Sequence, residues 1–156
     1  MTDVSDTGVA PPEASSKEEV TLTKVSLDET VVNNRRGGEI RVLLSPNTVG
    51  TSTGFMGLLT IRPGEYVSEH YHPYSEEFLY VIRGTLVVRI NGEQELTLDA
   101  DEGMVIPKNV RHRVMNRSET EAFAVFHLCP LAPRPDLGHV DTEPYPGQAG
   151  GSEAGK

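Results

Sequence analysis

The chain has one cysteine, Cys129, and no tryptophan. A single thiol cannot close an intrachain disulfide, so a disulfide framework is excluded and a reducing cytoplasm is the expected location. Long apolar runs are missing too, and none approaches the roughly 20 residues needed to span a bilayer. The opening MTDVSDTGVAPPEASSKEEV lacks the basic start and apolar stretch of a signal peptide. There is no basic excess: 14 Lys and Arg face 23 Asp and Glu, for a formal net charge of −9. That balance excludes a basic nucleic-acid footprint. Much of the acidity lies in the ends, −4 over residues 1–20 and −2 over 131–156, leaving −3 on the remaining 110 residues. Placed there, it favours solubility and specifies no partner.

What is present is enough for one folded domain. A chain of 156 residues with 37% hydrophobic residues can bury a real core. Residues 1–20, rich in Pro, Ser, Ala and acids, are expected to be a disordered acidic tail. Residues 131–156 carry Pro133, Pro135, Pro144 and Pro146 and end in GQAGGSEAGK. They read as a second tail whose first part lies along the surface of the folded domain, residues 21–130. Within that domain helical periodicity is nearly absent. Short β-branched, aromatic and leucine-rich segments recur instead, at 39–45, 54–62, 65–72, 78–84, 85–90, 94–99, 103–107, 112–116 and 121–129. Turn residues separate them, among them Pro63-Gly64, Gly84 and Asn91-Gly92. Asn91-Gly92 predicts a hairpin, because both turn positions require φ > 0. An all-β sandwich or closed barrel is therefore expected.

Three of the five histidines stand in a spaced pattern. His70 and His72 are two residues apart, which on a strand sends both imidazoles to one face. A metal ion needs converging ligands at about 2.0–2.1 Å from imidazole nitrogen, and a rigid strand supplies two. Glu77 follows beyond the turn Pro73-Tyr74-Ser75 and adds a hard, negatively charged ligand. Glu76 competes for that role, and the six-residue gap to Gly84 favours Glu77. His112 is 40 residues beyond His72, so only the fold could bring it in. The run from Gly64 through His70, His72 and Glu77 to Gly84 has a chance frequency on the order of 10⁻⁴ to 10⁻³. The mixed imidazole and carboxylate set suits Zn, Fe, Ni or Mn and does not choose among them.

That run resembles the first cupin motif, and Pro107, His112 and Asn116 resemble the second. The resemblance spans about residues 39–130 and implies a single jelly-roll-like antiparallel β-barrel, with a divalent metal, zinc foremost, held by three histidines and a glutamate. Two positions depart from the pattern: Asn109 and Asp101 stand where glycine is usual. Asn tolerates φ > 0 better than most residues, so a local loop change with the ligand intact is expected. More narrowly, NNRRGGEIRVLLSPNTVGTSTGFMG (33–57) followed by HYHPYSEEFLYVIRG is similar to the small cupin cyclases of aromatic polyketide pathways, of the spore-pigment, tetracenomycin and resistomycin type. This implies a metal-dependent cyclase closing rings of a poly-β-keto chain by intramolecular aldol condensation. The substrate is free or carrier-bound, and a homodimer is implied, with the strand near 39–45 as its contact. The rival readings are an Fe- or Ni-dependent oxygenase of aromatic substrates and a non-enzymatic cupin that binds a small molecule.

His127, on the strand face of Phe123 and Val125, is expected either as a fifth ligand or as the catalytic base beside the ion, against the alternative of a satisfied core histidine. Tyr66 and Ser68 share strand parity with His70 and His72, so they are candidates to line the cavity and assist catalysis, against plain wall-filling. Arg35, Arg36 and Arg41 suit anions but read slightly better as solvated strand-edge charges. Cys129, Met56 and Met104 read as core, and His139, in the Pro-rich tail, as solvated.

Overall fold

The computed structural model describes residues 9–14 and 19–147. The expectations for residues 1–8, 15–18 and 148–156 lie outside the described residues. The nine expected strands are all present, each within two residues of its predicted bounds: β2 (Glu39–Leu44), β3 (Phe55–Ile61), β4 (Tyr66–Tyr71), β5 (Glu76–Arg83), β6 (Leu86–Ile90), β7 (Gln94–Leu98), β8 (Gly103–Ile106), β9 (His112–Met115) and β10 (Ala122–Cys129). Two short strands, β1 (Val32–Asn33) and β11 (Val140–Asp141), and a one-turn helix, α1 (Pro46–Val49), were not expected. No helix among the described residues is long and apolar enough to cross a membrane.

The strands form two antiparallel sheets, in the orders β1-β2-β3-β10-β5-β8 and β11-β4-β9-β6-β7. Period-two alternation decides which side chains meet between them. Along β10, Ala122, Ala124, Phe126 and Leu128 are buried, while the residues between them are half-exposed. Along β5, Glu77, Leu79 and Val81 point inward. Ile61, Val81, Leu86 and Val88 are wholly buried, each contributing about 1.5–3 kcal/mol of gross hydrophobic stabilisation. The turns follow their chemistry: Asn91 and Gly92 both take positive φ (51° and 79°), as the hairpin requires. Asp101 and Asn109 also hold positive φ (67° and 63°), so the left-handed backbone that glycine would favour is kept without it.

The core is apolar at one end and polar at the other. Because neighbours run antiparallel, the end of β4 lies beside the start of β9, and His70 pairs directly with His112. The start of β5, carrying Glu77, faces them from the other sheet. Beyond this end, segment 131–147 does not leave the domain. Val140 and Asp141 pair with Tyr71 and His70, the Thr142 amide donates to the Glu69 carbonyl (3.0 Å), and the Glu69 amide donates to the Glu143 carboxylate (2.7 Å).

Candidate metal centre

One irregularity in β4 aims the histidines. Val67 pairs with Val114 and His70 with His112, so three residues on β4 span two on β9. The extra residue is a β-bulge, and it reverses the parity of everything before it. His70 therefore faces inward with His112, while Tyr66 faces outward. His72 follows directly after β4, and Glu77 is the second residue of β5. The four are 5%, 7%, 8% and 0% exposed in the order His70, His72, Glu77 and His112. One potential ligand atom from each lies within 4.8 Å of all the others.

The histidines are locked in one tautomer by the backbone. Nδ1 of His70 lies 2.7 Å from the Ser68 carbonyl oxygen, that of His72 2.8 Å from Gly138 and that of His112 2.9 Å from Val110. A carbonyl only accepts, so each Nδ1 donates. In the neutral ring the lone pair is then on Nε2, and for His72 and His112 that atom points at Glu77. The Glu77 Oε2 is 2.8 Å from His112 Nε2 and 3.2 Å from His72 Nε2. Such anchored Nδ1–H groups fix ring orientation and raise ligand basicity.

Electrostatics at the group are poised for a cation. Burial alone would push the Glu77 carboxyl up, but the His112 and His72 rings outweigh it and hold it well below the usual carboxylate range. Burial alone would push His112 down, and the Glu77 carboxylate overcomes this to hold it raised. His70 is pushed well below the ordinary imidazole value, by burial first and then by its histidine neighbours. A buried carboxylate facing imidazole lone pairs needs positive charge between them, supplied either by a proton on His112 or by a metal ion. Three neutral nitrogens and one carboxylate are a donor set that could hold a divalent metal, and their chemistry does not single out Zn from Fe, Ni or Mn.

The other expected site residues lie elsewhere. His127 is corrected: it pairs across β5 with Phe78, whereas Glu77 pairs with Leu128. Cross-strand partners share a face, so Glu77 and Leu128 point in while His127 and Phe78 point out, their rings 5.9 Å apart. His127 is thus on the far side of the sheet from the group. Tyr66 is corrected by the bulge; its ring packs under the Arg113 guanidinium (3.8 Å), on the outer face. Ser68 is completely buried beside the group, and its Oγ has no hydrogen-bond partner. Arg41 bonds Glu39 and the Thr30 carbonyl, and Arg36 pairs with Asp141 (2.9 Å). The Arg35 guanidinium sits over the Tyr145 ring (5.0 Å). Cys129 is half-buried, as are Met56 and Met104.

His139 is the residue the sequence reading missed. Instead of lying in solvent it stacks on His70, with ring centroids 4.2 Å apart and planes within 16°, and stands 5.2 Å from the His72 ring. Its Nε2 is 2.9 Å from Asp141 Oδ1. Burial, then the Arg36 charge, pushes His139 down to about 4, while burial opposed by hydrogen bonds from Arg36 and Tyr145 leaves Asp141 at about 2. The available signal was His139-Val140-Asp141, an alternation compatible with a short strand.

The chain is similar to known proteins in sequence and in fold. A family model described as "Cupin domain" matches residues 57–128. CurC of Streptomyces cyaneus, named a polyketide synthase, is 57% identical over 119 residues, covering 76% of this chain and 77% of that protein. TcmJ of Streptomyces glaucescens, named a tetracenomycin polyketide synthase protein, is 49% identical over 126 residues, covering 81% and 84%. Among solved structures, Streptomyces PAC13 with uridine superposes with a TM-score of 0.66 at 17% identity, covering 81% of this chain and 94% of that one, a likeness of fold. Two facing antiparallel sheets, an inward His and Glu group at one end and the match of residues 57–128 to the cupin domain lead to one assignment: the chain belongs to the cupin family, with the Streptomyces proteins CurC and TcmJ among its relatives.

Proposed function

We propose that the protein is a metal-dependent polyketide cyclase, acting in aromatic polyketide biosynthesis on a poly-β-keto intermediate. The observation that carries the reading is the buried His70, His72, Glu77 and His112 group, with each Nδ1 tied to a carbonyl, in a chain whose relatives bear polyketide synthase names. These four residues hold a divalent ion, which when bound supplies Lewis acidity that polarises a ketone and stabilises an enolate. The protein's own part is to exclude water, hold the chain in one reactive conformer and move a proton. His139 is the residue placed for the last task, in the role first sought for His127. Asp141 fixes its Nε2–H, the ring is neutral at pH 7, and Nδ1 is left as the acceptor. The proton leaves the α-carbon for His139 as the new carbon–carbon bond forms, and returns to the carbonyl oxygen that becomes the aldol hydroxyl.

The test is reconstitution with a minimal synthase that releases an uncyclised poly-β-keto chain. Adding zinc-loaded protein is expected to collapse the mixture of spontaneous products to one cyclised product, and chelator-treated protein is expected to leave the mixture unchanged. Oxygen consumption by an iron-loaded sample in step with product formation would favour the oxygenase reading instead. An unaltered product mixture with fully loaded protein would point to a non-enzymatic binder.

A further inference from the structure

The space between the sheets is filled by apolar side chains from Leu59 to Leu128, so a ligand cannot lie along the core. The open volume beside the metal group is a cavity of about 800 Å³ on one flank of the barrel. His72 and His139 form its wall toward the group. The rest is built from the arm at residues 25–33, strand β2 and helix α1, the start of β3, and segment 131–138. Of all the residues lining it, only His72 and Ser75 fall within the cupin-domain match at 57–128. The shared barrel supplies the metal group, and the flanking segments supply the chamber.

We infer that this chamber holds the body of the ligand, and that the arm and segment 131–138 decide which ligand is accepted. The class that fits is an elongated, largely apolar molecule bearing several carbonyl oxygens. Three properties select it. The volume is in the range of about 300–1,000 Å³ that suits a drug-sized organic ligand. The walls are mainly apolar, with Val31, Val42, Phe55 and Leu131 prominent, and Val31 and Val42 leave 86% and 36% of their surface uncovered. The side-chain amides of Asn33 and Asn47 are set among them and can donate to a carbonyl, whereas the Thr48 hydroxyl is already spent on the Leu43 carbonyl (2.9 Å). Among the described residues no lysine or arginine lines the cavity, and Glu29 is the one carboxylate there, which disfavours a phosphate or polycarboxylate ligand. The multi-carbonyl part of this assignment rests on the cyclase reading, whereas the location of the chamber does not.

The groove of about 460 Å³ on the outer face of β5, β8 and β10 provides the control, because it lies across the sheet from Glu77 and is lined by Phe78, Tyr80, Val105 and His127. The probe is dibenzoylmethane, an apolar aryl 1,3-diketone, titrated into zinc-loaded and chelator-treated full-length protein by calorimetry. Val42→Trp, Asn47→Trp and Ala132→Trp each fill the chamber, and Val105→Trp fills the outer groove. Chamber variants with native circular dichroism and unchanged zinc content are expected to bind the probe about tenfold or more weakly, with Val105→Trp within about twofold of wild type. Three binding results would overturn the inference: no saturable binding to the wild type, chamber variants that bind as the wild type does, or a loss confined to Val105→Trp. Using three positions, one on an exposed helix surface, keeps the test informative if one variant misfolds. Loss of probe binding in the chamber variants, from a protein that never alters polyketide products, would leave the chamber standing and the cyclase reading refuted. An unchanged product pattern from a fully active Val42→Trp and Ala132→Trp pair would refute the chamber alone.

Discussion

Replacing His112 by alanine is expected to abolish metal loading and lower cyclisation about 10³-fold, the equivalent of about 4 kcal/mol of transition-state stabilisation. His112 is wholly buried, its Nδ1 is tied to the Val110 carbonyl and its Nε2 is 2.8 Å from Glu77. Alanine removes one of three nitrogens and leaves Glu77 facing an empty volume, so the ion loses both a donor and its geometry. The measurement is initial rate and metal content on the same samples, with melting temperature as the check on folding. His112→Gln keeps most of the volume and is expected to match alanine in rate while unfolding at a higher temperature. A variant that retains full metal occupancy and rate would show that the ion is held elsewhere.

Metal removal is the second large effect. An ion bound at 1,000 times its dissociation constant adds about 4 kcal/mol to the folded state, which for a domain of this size raises the melting temperature by roughly 10–15 °C. The gain is expected to depend on pH with a definite sign. Glu77 holds His112 raised in the ion-free protein, so binding must displace a proton from it. His70 is held low and is already neutral, and contributes little to the pH dependence near neutrality. The thermal shift on adding zinc is therefore expected to grow as pH rises from about 6 to about 8, following loss of the His112 proton. A shift independent of pH over that range would mean that His112 does not change its protonation on binding. Differential scanning fluorimetry against a zinc and pH grid reads this directly.

Strand positions and the four-residue group were legible in the sequence because both rest on local rules. Period-two alternation and turn chemistry mark the strands, and the spacing around His70, His72 and Glu77 survives any error in where a strand ends. The errors concern facing. Counting by twos from His70 puts Tyr66 on its face, and the bulge between Val67 and His70 breaks the count. No composition signal marks that extra residue. His127 lies on the face of Phe123 and Val125, as the alternation predicts, but which face of β10 meets the His and Glu group is set by register against β5, where Leu128 and not His127 is opposite Glu77. His139 was lost for a different reason. Its prolines and glycines read as a tail, while its position depends on long-range bonds: β11 on β4, Gly138 to His72, and Asp141 to Arg36. The chamber was invisible for the same reason, since its walls come from segments distant in the chain that only the fold assembles.

On the proposed reading, His70, His72, Glu77 and His112 hold one divalent ion. Native mass spectrometry of the protein purified without chelator, then repeated after reconstitution with zinc, tests it most directly. One ion per chain is expected in the wild type, lost from His112→Ala and Glu77→Ala and retained in His127→Ala, whose ring lies across the sheet. Sub-stoichiometric zinc in the reconstituted wild type, or an ion lost from His127→Ala and kept by His112→Ala, would contradict it.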